Sequence, residues 1–359
     1  MTNLLPGCTR ALRRGRPFDD RKNAAVTIVL GVGLAGIAFW FAKWAIVNAI
    51  WTLPPDASSS LCRAARADGA CWAVIHERFR FIVLGGYPYN GQWRPAVACA
   101  LFVLLYVMST RRAWWNRWLL LAWIAFPLGA IVLLGGGILG LEEVPTEFWG
   151  GLPLTFVLST VGFALAFPLA IVLALGRRSH MPSIRGLCIA YIELVRGVPL
   201  VTFLFMASVM FPLFVPPGVN VDKVMRAQIA FVIVMAAYVA EVIGAGLAAV
   251  PKGQFEAAAS MGLGFWPATL LVVLPQALRV TIPALVNTFI GFFKDTSLVT
   301  VIGMFDLLGA AKAVLVDPKW VGFGVEVYLF TAAVYFVFSF AVSRYSQSLE
   351  RALMARGHQ

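Results

Sequence analysis

The feature that most narrows the folds open to this chain is a series of apolar runs, most of them eighteen or more residues long and almost free of charge. A helix rises about 1.5 Å per residue, so roughly twenty such residues cross a hydrocarbon layer about 30 Å thick. No soluble core would need so much apolar surface. Of 359 residues, 60% are hydrophobic and only 13% charged, against about 25% charged in soluble domains. Eight runs are read as spans, at roughly 24–50, 95–110, 118–140, 150–176, 187–213, 225–250, 280–304 and 322–344. The expected fold class is an all-α integral membrane protein with about eight transmembrane helices.

A formal net charge of +12 could point to nucleic acid, but the cations sit in short clusters between apolar runs. That placement sets membrane orientation, and a basic stripe within a soluble fold is missing, so nucleic acid is not an expected partner. Residues 1–23 carry Arg10, Arg13, Arg14, Arg16, Arg21 and Lys22. The following apolar run is too long for a cleavable signal peptide, so it is read as a cytoplasmic tail with a retained first span. An even span count puts both termini on one side. Arg111, Arg112, Arg117, Arg177, Arg178, Arg185, Arg344, Arg351 and Arg356 then also face inward, while loop 141–149 carries three Glu and no Lys or Arg. The outer loop 52–94 fits poorly, since it holds Arg63, Arg66, Arg78, Arg80 and Arg94.

Cys8, Cys99 and Cys188 are separate in sequence, whereas Cys62 and Cys71 lie in the outer loop with eight residues between them. In an oxidising compartment a disulfide there is one reading and two free thiols the other. His76, His180 and His358 are scattered, which gives a metal site no support. Trp114, Trp115, Trp118 and Trp149 fall near span ends and read as interface anchors.

Between the sixth and seventh runs lies VPKGQFEAAASMGLGFWPATLLVVLPQALR, Val250 to Arg279. Pro251 and Gly253 are expected to end the preceding helix, Glu256 to Met261 to form a short one, and Gly262 and Gly264 to break it. A short stiff helix on the inner face can dock in a partner's groove; an amphipathic connector on the membrane surface is the plainer reading. The spacing Glu256-Ala257-Ala258, three residues, Gly262, nine residues, Val272, one residue, Leu274-Pro275 resembles the EAA loop of ABC importer permeases, with Val272 where Ile is usual. The strings AAYVAEVIGAGLAAVPKGQFEAA, LPQALR and NTFIGFFKDTSLVTVIG, with YIELVRGVPL at Tyr191 to Leu200, are similar to the polar amino-acid branch of that family. These cover about residues 150–345. The extra N-terminal spans and YPYNGQWRPA resemble the M-type permease subunit of general L-amino-acid ABC transporters, although Gly244 stands where that branch often has Arg.

The resemblance implies a type I importer permease core (MetI-like) preceded by three extra helices. It implies a basic tail 1–23, a three-helix extension 24–148 containing loop 52–94, a five-helix core 149–345 with coupling loop 251–279, and a cytoplasmic tail 346–359. Glu256, Ala257, Ala258, Gly262, Leu274 and Pro275 would couple to an ABC ATPase dimer. A second permease subunit would complete the pathway, most simply as a heterodimer, and a periplasmic amino-acid-binding protein would deliver substrate. No G-x-x-x-x-G-K-S/T phosphate loop occurs, so ATP and magnesium would belong to the ATPase subunits and this chain is not expected to be an enzyme. The inner membrane of a bacterium is the expected location.

Ionisable groups inside spans are candidates for function by default. Asn287, Lys294, Asp295, Thr296 and Ser297 lie on the seventh run, where a zwitterion would find both charges and hydroxyls. The competing reading is that Lys294 and Asp295 pair with other helices, because adjacent helical residues point about 100° apart. Glu193 and Arg196, three apart, are placed to pair with each other as a structural or gating contact or to touch substrate; Glu241 is equally open. Two alternatives remain at this level, an ion-coupled secondary transporter and a homodimeric permease for a single amino acid. An integral membrane enzyme lacks an assembled cluster of acids, bases or ligands.

Overall fold

The computed structural model describes residues 21–54, 59–111, 114–138, 140–216, 218 and 220–354; Cys8, Arg10, Arg13, Arg14, Arg16, Arg112, Arg356 and His358 lie outside them. Its contacts fall into two units, Met1–Glu77 and Arg78–Gln359. The first holds α1 (Arg21–Ala42), closed by a π-turn at Lys43–Val47, and the short α2 (Ser60–Ala64). None of the α1 side chains is buried, so its apolar surface is left for lipid or another protein. Beyond it the chain doubles back. Ile50 N donates to Ala70 O at 2.8 Å, the Asn48 amide to Asp68 O at 2.9 Å, and the Trp72 indole to Ala45 O at 2.7 Å. Cys62 and Cys71 are joined in a disulfide with Cα atoms 5.7 Å apart, which selects between the two readings of that pair.

Helix α3 (Ala73–Leu84) carries the boundary between the units, and the second unit continues with α4 (Trp93–Thr110), α5 (Arg117–Gly135) and α6 (Gly151–Gly176). Then come α7 (Pro182–Gly197), α8 (Leu200–Phe214), α9 (Lys223–Ala249), α10 (Lys252–Ser260), α11 (Phe265–Ile302), α12 (Leu307–Val314) and α13 (Gly324–Met354). Among the described residues, seven helices are long and apolar enough to cross a membrane, or eight if the bent pair α7–α8 is one span.

That pair occupies the fifth span expected over 187–213, and the span is broken rather than continuous. The two helices meet at 96°. Pro199 clashes with a helical conformation at the residue before it, and Val198 is accordingly extended, at φ −108° and ψ 132°.

Helix α9 is the centre of the larger core, buried among α6, α7 and α11. Ala227, Ala230, Ala237 and Ala240 are fully or almost fully buried, and small residues let apolar helices approach closely where no hydrophobic effect drives them together. At Gly246 a Cβ would lie 2.3 Å from Thr281 Cγ2 and 2.7 Å from Ala277 O, so α9 and α11 are in contact there at backbone distance. A second core is aromatic. Phe102 of α4, Phe156 of α6, Phe293 of α11 and Phe338 of α13 meet at centroid distances of 5.6 Å (Phe102–Phe156), 5.8 Å (Phe156–Phe293) and 3.9 Å (Phe293–Phe338). Trp149, expected at the lipid interface, is buried in this cluster instead.

The arginines that fitted loop 52–94 poorly are largely engaged. Arg94 is buried, its guanidinium donating to Leu133 O and Glu142 O at 2.5 and 2.9 Å and lying 5.5 Å from the Tyr87 ring. A cation at the C-terminal end of α5 satisfies open carbonyls and matches the helix dipole. Arg78 pairs with Asp317, and Arg80 lies over Tyr89 at 5.0 Å.

Candidate functional site

Helix α10 is set apart by its two ends. Val250 and Pro251 are extended, at ψ 126° and 140°, which separates it from α9. At the other end Leu263 N donates to Ala258 O at 3.1 Å and Gly262 N to Ala259 O at 2.9 Å, with Gly262 at φ +78°. These two bonds closing over a left-handed glycine are a Schellman cap, and a residue with a Cβ is disfavoured at that φ. The helix starts four residues before the expected Glu256, because Pro251 opens it and Gly253 is absorbed in its first turn.

The residues expected to couple divide by burial. Ala258 and Leu274 are buried and anchor the segment, while Glu256, Ala257, Gly262 and Pro275 are exposed. The Gln276 amide donates to Gln254 Oε1 at 3.0 Å and to Val272 O at 2.9 Å, tying the stub to α11. Beside the exposed face stand Met261, Phe265 and Trp266, 75%, 60% and 60% exposed. An uncovered apolar patch next to a capped helix is what a docking surface requires. In sequence Met261 stands only as the end of the short helix, and Phe265 and Trp266 carry no expectation, although all three adjoin the glycines that end it.

A second cluster lies where α6, α7 and α9 approach. Glu241 Oε2 pairs with Arg177 Nη1 and, at 3.2 Å, with Arg196 Nη1. The Arg196 guanidinium also sits 5.7 Å from the Tyr238 ring. The expected Glu193–Arg196 pair therefore gives way to Arg196–Glu241. Glu193 is exposed, whereas the Glu241 side chain is only about one-third exposed, and water screens a charge pair less where it has less access to it. In sequence, Arg177 stands only as a cation of the inner loop.

On α11, Lys294 and Ser297 open on a cavity of about 550 Å³ shared with Tyr328, Thr331 and Ser339 of α13. Asp295 does not line it, and Thr296 is buried with its hydroxyl donating to Phe293 O at 2.9 Å. Asn287 is exposed two turns earlier. The adjacent charges thus diverge, as helical geometry demands.

Beyond α11 a buried latch joins four elements. Asp306 caps α12, accepting from Gly309 N at 2.9 Å and from the Tyr335 hydroxyl of α13 at 2.9 Å. Leu307 N donates to Thr155 Oγ1 of α6 at 3.2 Å, and Thr300 of α11 approaches Asp306 at 3.4 Å. Burial pushes the Asp306 carboxyl above its usual range, opposed by these hydrogen bonds. Asp306 precedes an apolar helix, the pattern of an N-cap, which was the signal available for it in sequence.

Residues 166–354 match the family described as binding-protein-dependent transport system inner membrane component. The chain belongs to this family of ABC transporter permeases, multi-pass proteins of the inner membrane. Among its relatives, the inner membrane amino-acid ABC transporter permease protein YhdY of Escherichia coli (strain K12) is 46% identical, over 86% of this chain and 83% of that protein. The glutamate/glutamine/aspartate/asparagine transport system permease protein BztC of Rhodobacter capsulatus is 36% identical, over 94% of this chain and 92% of its own. A solved structure described as an amino acid ABC transporter with histidines superposes at a TM-score of 0.50 with 33% identity, over 56% of this chain and 92% of that one. The family is one of transporter permease subunits.

Proposed function

We propose that this chain is one of two permease subunits of an ATP-driven importer of L-amino acids, with α10 docking on an ATPase subunit. The observation that carries the reading is α10 itself, a stub fixed at both ends with Glu256, Ala257 and Met261 outward. Such a stub transmits displacement without bending. The relatives' names supply the substrate class. ATP and magnesium belong to the paired ATPase subunits, a periplasmic binding protein delivers the amino acid, and a different permease completes the pathway. Both termini face the cytoplasm, the side on which α10 must then lie. Lys294 is our candidate for contact with the substrate carboxylate, and the Glu241 cluster for a contact that changes as the pathway turns.

Reconstitution of the chain with its ATPase, sister permease and binding protein in liposomes tests this directly. Uptake should follow ATP on the ATPase side and stop without it. Uptake driven by an ion gradient with the ATPase omitted would overturn the importer reading in favour of a secondary transporter, and full activity without a sister subunit would favour a homodimer.

A further inference from the structure

We propose that a groove formed by the N-terminal helices α4 and α5 with α6, α11 and α13 holds one acyl chain of an anionic phospholipid. The groove has a volume of about 360 Å³, and its walls include Val107, Phe167, Leu285 and Phe289. That is many times the roughly 10–15 Å³ that a cavity needs to hold one water. An apolar space offers water no hydrogen bonds and stays dry. Open to a bilayer, it takes the material nearest to it, which is alkyl chain.

The two ends of the groove differ. Towards Val103 the lining is apolar; at the other end are Ser109, Thr110, Trp123 and Tyr345. The Tyr345 hydroxyl donates to Ser109 O and the Trp123 indole to Ser109 Oγ, both at 3.1 Å, and the Trp115 indole donates to Ser109 O at 2.8 Å. Tryptophan and tyrosine gathered at one level mark the headgroup boundary. Arg111 follows Thr110 and Arg344 precedes Tyr345 in sequence. Both are exposed, and among the described residues neither has an acidic partner; each lies against an aromatic ring, Trp114 at 5.8 Å and Phe340 at 6.0 Å. Two guanidiniums without carboxylates select a phosphate that brings no ammonium of its own. The lipid would then fill the seam between the N-terminal hairpin and the permease helices.

Native mass spectrometry of the full chain, purified in mild detergent, tests this with phosphatidylglycerol, phosphatidylcholine of the same acyl chains, and inorganic phosphate as separate probes. Phosphatidylglycerol should be retained about tenfold more than phosphatidylcholine, and phosphate alone should not bind. Val107 stands on the groove rim at 45% exposure, and Val107→Trp should fill the space and reduce retention of both lipids. Arg111→Gln with Arg344→Gln alters only exposed side chains, keeping the test open if the first variant does not fold; it should abolish the preference while leaving chain retention. Equal retention of both lipids by the wild type, wild-type retention by Val107→Trp, an undiminished preference in the double variant, or phosphate binding as tightly as the lipid would each overturn the proposal.

Discussion

Helix α10 and the Glu241 cluster belong to the same unit and are built by opposite means. Everything that shapes α10 lies within one short stretch: Pro251 before it, Gly262 after it, and Gln276 reaching back to Gln254. Glu241 instead meets an arginine 64 residues earlier, from the end of a different helix. A locally capped element keeps its form while its surroundings move, whereas a contact spanning three helices exists only while those helices hold one arrangement. On the function proposed above, α10 would carry force and the cluster would report conformation.

The largest effects are expected at the stub. Gly262→Val forces a β-branched residue into the left-handed region, a cost on the order of 1–2 kcal/mol, and loosens the cap. ATP-driven uptake should fall by about tenfold or more (a barrier change of roughly 1.4 kcal/mol or above) while the amount of chain in the membrane fraction stays at the wild-type level. Glu256→Lys touches only an exposed side chain and should act through docking, seen as loss of the ATPase from the purified complex. Wild-type uptake in both variants would remove the difference drawn between stub and cluster.

A smaller effect is expected at Glu241. Glu241→Gln leaves Arg177 and Arg196 facing each other without the carboxylate between them. The pairs are about one-third exposed, so solvent screening limits the loss to about 1 kcal/mol. Uptake should fall about two- to fivefold. Combining it with Arg196→Gln should cost less than the sum of the single changes, because coupled sites are not additive. Strict additivity would mean that the contact does not act as a unit.

Legibility followed the same division. The apolar runs and the breakers around α10 act within a few residues, so they could be read along the chain, and all eight runs coincide with long helices or with the bent pair. The bend at Val198 also had a local signal, Pro199, but the length of the run masked it. Arg94 was counted as a loop charge because the carbonyls it caps are 39 and 48 residues away. The Arg196–Glu241 pair was missed for the same reason: helical spacing names only partners on one helix, and here a partner on another helix wins.

Lys294 and Asp295 sharpen the picture at the next level down. Lys294 opens on the cavity between α11 and α13, and Asp295 does not. Lys294→Met should therefore reduce uptake severalfold more than Asp295→Asn, measured in the same liposomes at limiting amino acid. Equal losses would restore the reading in which both charges hold one zwitterion.

The smallest expected effect is a slope in stability at Asp306, a contact that, like the Glu241 cluster, joins distant elements but is fully buried. Burial raises its carboxyl above the usual value, so within that window the folded chain binds a proton that the unfolded chain has released. Stability contributed by this group is then present in full below the unfolded value and declines as pH rises through the folded one. Asp306→Asn keeps the shape, stays able to cap α12 and cannot titrate. The wild-type melting temperature, taken relative to that of the variant, should decrease from acid towards neutral pH in detergent. A flat difference would mean that the hydrogen bonds from Gly309 and Tyr335 cancel the effect of burial, and the latch would then hold equally well in either protonation state.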